Sequence, residues 1–202
     1  MTELAAPRRG RPGNSLEQLL EAAVAVFDER GYEATSVEEI AARLGVTKSA
    51  VYHHVPSKGE LLRLALDRAL DALVALTEET GATTGPAIDR LEFVVRGSVR
   101  VLAAELPYVT LLLRLRGNSE VERTALHRRR EFDRVVAGLV RAAGREGDVR
   151  ADVDPAVISL LLFGTVNSLT EWYRPDRGLT ADDLADAVVA ITFAGLRTRP
   201  VT

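Results

Sequence analysis

Residues 31–62 read GYEATSVEEIAARLGVTKSAVYHHVPSKGELL. Ser36 followed by Glu39 is a capping box, which predicts a helix over Ser36–Leu44 with Val37, Ile40, Ala41 and Leu44 on one side. Gly45 suits the left-handed stop of that helix. Thr47 opens another, with Val46 and Val51 placed as a hydrophobic staple, and Pro56 forbids its continuation. Two short helices joined by a tight glycine-containing turn form a helix-turn-helix. The second helix buries Val51 and turns Lys48, Ser49, Tyr52 and His53 outward, a polar face of the kind a DNA major groove accepts.

Helical periodicity continues in both directions. Upstream, Ser15 and Gln18 form a capping box before Leu16, Leu19, Leu20, Ala23, Val24 and Phe27, and Gly31 ends that helix. Downstream, Ser57 with Glu60 leads a long helix toward Thr80, and GATTGP at 81–86 reads as a loop. Further helices are predicted over 87–105, 106–115, 119–145, 155–173 and 180–198. Ser119 with Glu122 opens the third of these, and Asp154 with Pro155 opens the fourth. No stretch alternates like a strand with hairpin turns. The fold class is all-α, with about nine helices. The predicted organisation is a flexible basic arm at 1–14, a helix-turn-helix domain at 15–56, and an effector-binding and dimerisation domain at 57–202 whose first helix, 57–80, is the linker.

The chain has 202 residues, 47% hydrophobic and 27% charged, a balance that excludes a mainly disordered protein. Aromatic residues are only 5%, which fits helix-on-helix packing. With no cysteine, disulfides, cysteine-held metals and thiol nucleophiles are excluded. The net charge of −3 rules out a generally basic coat, so any nucleic-acid contact must be local. Between Arg43 and Lys58 there are three basic residues and no acidic one, and Lys48 and Lys58 are the only lysines in the sequence. Ser36 and Thr47 start helices whose N–H groups suit phosphate. The arm adds Arg8, Arg9 and Arg11, placed to reach an adjacent minor groove. Residues 1–14 lack the apolar core of a signal peptide. The longest apolar run, Ala156–Val166, is too short for a bilayer. A cytoplasmic protein with no membrane partner is expected.

Taken together, Gly31, Tyr32, Thr35, Ser36, Val37, Ile40, Ala41, Leu44, Gly45, Val46, Lys48, Tyr52, His54, Lys58 and Leu61 resemble the DNA-binding signature of the TetR family of bacterial transcriptional regulators. Val55 departs from it, where the family often has Phe after the histidine. The resemblance implies three N-terminal helices for DNA, a fourth linking helix, and a helical domain that dimerises through its last two long helices and holds an effector pocket. Asn167–Asp186 is similar to the C-terminal region of members that regulate fatty-acid or steroid catabolism in actinobacteria. The implied function is a repressor released from a palindromic operator by a small apolar or amphipathic effector, with an acyl or steroid thioester as one class. Two other readings are an activator or effector-independent DNA-binding protein, and a helical interaction module that has lost DNA binding.

The candidate DNA contacts are thus Arg8, Arg9, Arg11, Ser36, Thr47, Lys48, Ser49, Tyr52, His53 and Lys58. For Tyr52, partial burial is the competing reading, and for Lys48 and Ser49 a solvated helix start. His53 and His54 point about 100° apart and cannot share a metal as an i, i+4 pair does. His53 reads as groove-facing and His54 as structural. Candidate effector contacts are polar or aromatic residues amid apolar runs: Phe93, Arg96, Arg100, Tyr108, Leu112, Arg114, Asn167 and Trp172. Each competes with a plain core or surface role. Leu160, Gly164, Val188, Ile191 and Gly195 are candidate dimer contacts, the glycines permitting either close helix approach or nothing in particular. Arg128–Arg130 reads as a solvated face with local ion pairs. No metal, cofactor or catalytic constellation is predicted: there is no G-x-S-x-G turn, no phosphate-cradling glycine loop and no HExxH.

Overall fold

The computed structural model describes residues 15–196. Arg8, Arg9 and Arg11 lie outside the described residues. Ten α-helices and one 3-10 turn are present among the described residues, with no strand. They are α1 (Leu16–Arg30), α2 (Val37–Leu44), α3 (Lys48–His54), α4 (Lys58–Glu78), α5 (Thr80–Thr83), α6 (Ala87–Ala104), α7 (Leu106–Leu113), α8 (Glu120–Glu146), α9 (Pro155–Trp172) and α10 (Ala181–Leu196), with the 3-10 turn at Pro175–Arg177. The chain divides into two compact units, one ending at Leu61 and one starting at Leu62.

In the first unit the local signals act as the sequence predicts. Ser15 and Ser36 close capping boxes with Gln18 and Glu39, and the Thr47 hydroxyl accepts from the Ala50 N–H at 3.2 Å. Gly45 sits at φ 68°, ψ 33°, the left-handed cap that lets Val46 N–H return to the Ala41 carbonyl. Leu19, Val24, Phe27, Ile40 and Val51 are fully enclosed, and Val55 is buried too, so the smaller side chain still fills its place in the small core.

The second unit is organised around α6, which packs against α5, α8, α9 and α10. Its buried stripe is Leu91, Val94, Val95, Val99 and Leu102. The extra helix relative to expectation is α5, inside the segment read as a loop. It has no side-chain cap. It is held by packing: Phe93 of α6 lies so close over Gly81 that a Cβ there would overlap its ring, and Arg90 Nε donates to the Ala82 carbonyl at 2.8 Å. Tertiary contact here overrides weak local propensity.

Ser119 caps α8 as expected, but Glu122 does not reach back to it. The Glu122 side chain, 4% exposed, instead accepts from the N–H groups of Gly117 (2.8 Å), Asn118 (3.0 Å) and Arg116 (3.3 Å). A carboxylate thus ties the turn after α7 to the start of α8. Glu122→Ala removes the one carboxylate that gathers these three donors in a partly exposed turn. The expected loss is about 2–3 kcal/mol of unfolding free energy, measured by urea denaturation.

Candidate nucleic-acid interface and ligand cavity

The candidate reading helix is α3, only seven residues long. Val51 anchors it inward, while Lys48, Ser49, Tyr52 and His53 are all exposed. These four expected contacts therefore share one accessible surface. His54, read as structural, is exposed as well. The Ser36 hydroxyl both caps α2 and donates to Glu39, whereas the Thr47 hydroxyl caps α3 as an acceptor and keeps its own O–H to donate.

Lys58 departs from expectation. Its ammonium donates to the carbonyls of Tyr32 (2.8 Å), Thr35 (2.8 Å) and Glu33 (3.4 Å), which accounts for its three N–H groups. The same nitrogen stands 4.3 Å from the Tyr32 ring centroid, and that ring meets Phe27 edge-on at 5.3 Å. The lysine read as a phosphate anchor is a clamp on the α1–α2 connection, because carbonyls 23–26 residues earlier in the chain converge on it.

Lys48 is also engaged. Its Nζ lies 2.5 Å from Glu38 Oε1 on α2 and 5.7 Å from the Tyr52 ring centroid. The hydrogen bond from Lys48 holds the Glu38 carboxyl below its ordinary pKa, and Glu38 reciprocally raises that of Lys48. Arg30 pairs with Glu39 and Arg43 with Glu29.

The second unit contains a narrow crevice of about 30 Å³, room for only a water or two. Its walls are apolar, including Leu73 of α4, Leu102 of α6, Leu112 of α7, Phe132 of α8 and Phe163 of α9. The rings of Phe132 and Phe163 meet edge-on at 5.3 Å. The polar lining is Ser98, Arg129, Asp133 and Asn167. The Ser98 hydroxyl is already donated to the Val94 carbonyl at 2.7 Å. Asp133 remains open to solvent on one side, but crowding by apolar atoms raises its pKa, with Arg129 pulling the other way.

Of the expected effector contacts, Leu112 and Asn167 line this crevice and the others do not. Arg96 pairs with Asp186 and Glu92, and Arg100 Nε donates to Asp182 at 2.7 Å. Both arginines thus fasten α6 to α10. Phe93 covers Gly81. Tyr108 is buried with its ring 4.5 Å from the Arg68 guanidinium. Arg114 caps the end of α7, and Trp172 is exposed at the end of α9. Arg129, Phe132 and Asp133 also line the crevice and were not among the expected contacts. In sequence they belong to a charged run, and the signal that could have found them is Phe132 itself, an aromatic in the middle of that run.

Arg128, in the same run, donates to Asp67 (2.8 Å) and Asp71 (2.5 Å) of α4. Arg68 of α4 donates to Glu105 at 2.6 Å. Leu160 and Ile191, expected at a dimer contact, are 74% and 76% exposed on α9 and α10. Gly164 and Gly195 are exposed beside them, and a Cβ at either would stand in open space. Val188, expected there too, is buried within its own chain.

A helix-turn-helix unit joined to a helical unit with an apolar crevice is the build of a ligand-responsive DNA-binding regulator. Residues 19–65 match the bacterial regulatory proteins of the tetR family, and residues 84–196 match the tetracyclin repressor-like C-terminal domain. The chain belongs to the TetR family. It is similar to a TetR-family regulator from Streptomyces coelicolor A3, with 53% identity, 92% of this chain and 94% of that one covered, and a TM-score of 0.84. It is 29% identical to the HTH-type transcriptional repressor KstR2 of Rhodococcus jostii (strain RHA1), over 93% of each chain. AibR, solved in complex with isovaleryl coenzyme A and operator DNA, matches at 26% identity over 88% of this chain and 97% of its own, with a TM-score of 0.73. Among the described residues no helix is long and apolar enough to cross a membrane.

Two variants separate reading from clamping. Lys48→Ala with Tyr52→Ala should leave the fold intact and cut operator affinity by about 2–4 kcal/mol in a fluorescence-anisotropy titration. Lys58→Met should lower the unfolding midpoint while leaving the salt dependence of DNA binding unchanged.

Proposed function

We propose that this protein is a homodimeric repressor that holds a palindromic operator through one α3 per subunit and releases it when a coenzyme A thioester, acyl or steroid, enters the crevice of the second unit. The observation that carries the reading is the outward face of α3, four polar side chains on a helix seated by Val51. Residues 15–56 act as the DNA-binding domain and 57–202 as the effector and dimerisation domain. Within 1–14, Arg8, Arg9 and Arg11 reach an adjacent minor groove. Ser49, Tyr52 and His53 meet base edges or phosphate, with two half-sites about one helical turn apart or a multiple of it. The protein acts as a regulator rather than an enzyme, in the cytoplasm.

The effector class is supported by the crevice and by AibR, whose bound ligand is an acyl thioester of coenzyme A. An acyl group fits walls built from Leu73, Leu102, Leu112 and Phe163, while Arg129 and Asn167 offer donors to a polar head. Because the crevice is narrow, an occupant must move its walls. One wall is Leu73 of α4, and α4 runs without a break from Lys58 to Glu78. Two cations, Arg128 and Arg68, hold α4 to α8 and to Glu105 at the end of α6. The effector favours the arrangement of α4 in which the crevice is open, and shifts the balance only by its differential affinity for the two states.

Dimerisation is assigned to α9 and α10, where Leu160, Leu161 and Ile191 are apolar side chains more than 60% exposed.

Selection of bound fragments from genomic DNA should recover a palindromic site, and a panel of acyl and steroid coenzyme A thioesters should contain members that dissociate the complex. Recovery of no palindrome overturns the DNA reading, and a panel with no active member overturns the effector class. Leu160→Arg with Ile191→Arg should give a folded monomer by sedimentation, with operator binding lost.

A further inference from the structure

Among the described residues, the first unit has no lysine or arginine without a partner inside it. Residues 15–61 carry eight carboxylates against four lysine or arginine side chains, and each of those four cations is engaged within the unit: Arg30 with Glu39, Arg43 with Glu29, Lys58 with three carbonyls, and Lys48 with Glu38. Three of these engagements brace the α1–α2 framework. The fourth is different. It joins the first residue of α3 to α2 on the surface where a duplex must dock, and both partners are exposed, Lys48 48% and Glu38 59% by side chain.

We infer that Glu38 is an affinity-setting residue: its carboxylate competes with DNA for the Lys48 ammonium and holds operator affinity below what the α3 surface would otherwise reach. The inference rests on the DNA-binding reading above. Lys48 is the one lysine or arginine on α3. To neutralise a phosphate or meet a base edge it must leave Glu38, and the abandoned carboxylate then stays beside a polyanion. The exchange trades one ion pair for another, so the gain from Lys48 is a difference and not a full contact. Proximity of the Tyr52 ring, 5.7 Å from Nζ, keeps the ammonium close to α3's own surface in the unbound protein. The reciprocal pKa changes of the two groups accord with this pairing. Exposed ion pairs are weak, which makes this a graded brake: strong enough to lower affinity, weak enough to be exchanged.

The test is Glu38→Gln in the full-length protein, with Lys48→Gln and the double variant, titrated on the selected palindrome and on a scrambled duplex at several salt concentrations. Glu38→Gln should tighten binding to both duplexes by about two- to fivefold, the range set by an exposed pair. It should also steepen the logarithmic salt dependence by up to about one. In the Lys48→Gln background most of that gain should disappear, because the competition has lost its object. Thermal melts confirm that each variant is folded. Unchanged or weaker binding by Glu38→Gln overturns the inference, since the pair would then be pre-organising Lys48. An equal gain in the Lys48→Gln background overturns it too, because Glu38 would then act by direct repulsion of phosphate. Failure of the wild-type protein to bind any duplex is a separate result that removes the underlying reading.

Discussion

The seating of α3 is the constraint on which the rest depends. A seven-residue helix has no independent stability in water, because nucleation costs more than so few hydrogen bonds return. Here it persists because the chain before it is turned sharply by Gly45 in the left-handed region, the Thr47 hydroxyl caps its first turn, and Val51 and Val55 are buried at its middle and end. It packs on α2, and the connection leading into α2 is braced in turn by Lys58, which gathers the carbonyls of residues 32, 33 and 35 and covers the Tyr32 ring. Only a helix held this firmly from behind can present Lys48, Ser49, Tyr52 and His53 outward in a fixed pattern.

The local half of this arrangement could be read from the sequence. Capping boxes at Ser15 and Ser36, the cap at Thr47 and the stop at Gly45 depend on residues within four positions of one another, and the structure contains each of them. The all-helical class followed from the same signals. What escaped was decided by partners distant in the chain. Lys58 looked like a surface cation because nothing nearby announces the three carbonyls that capture it. Arg96 and Arg100 looked like pocket donors because Asp186 and Asp182, their partners, lie 90 and 82 residues away. The helix α5 was invisible because its stability comes from Phe93 and Arg90 of the next helix rather than from its own residues.

The crevice shows the same division. Leu112 and Asn167 were singled out as apolar-run positions and do line it. Arg129 and Asp133 were hidden within RRREFD, where three consecutive arginines suggest solvent. A helix spreads consecutive residues about 100° apart, so one run of like charges serves three surfaces. Arg128 reaches Asp67 and Asp71, Arg129 lines the crevice, and Arg130 donates to its own helix at the Leu126 carbonyl. Composition averages over faces that folding keeps apart.

Charge follows the same logic, with a consequence for regulation. The window from Arg43 to Lys58 holds three cations and no carboxylate, which looks like a phosphate-binding surface. In the structure each of the three is met from outside the window: Arg43 by Glu29, Lys48 by Glu38, Lys58 by carbonyls of residues 32–35. An effector can release a regulator from DNA only to the extent of its differential affinity for the released state. Every phosphate contact that tightens the DNA complex without being undone by the effector raises the concentration at which release occurs. On the proposed DNA-binding reading, a unit whose lysines and arginines within 15–61 are already partnered suits a regulator that must let go, and it would shift the burden of recognition from non-specific phosphate attraction toward the polar side chains of α3.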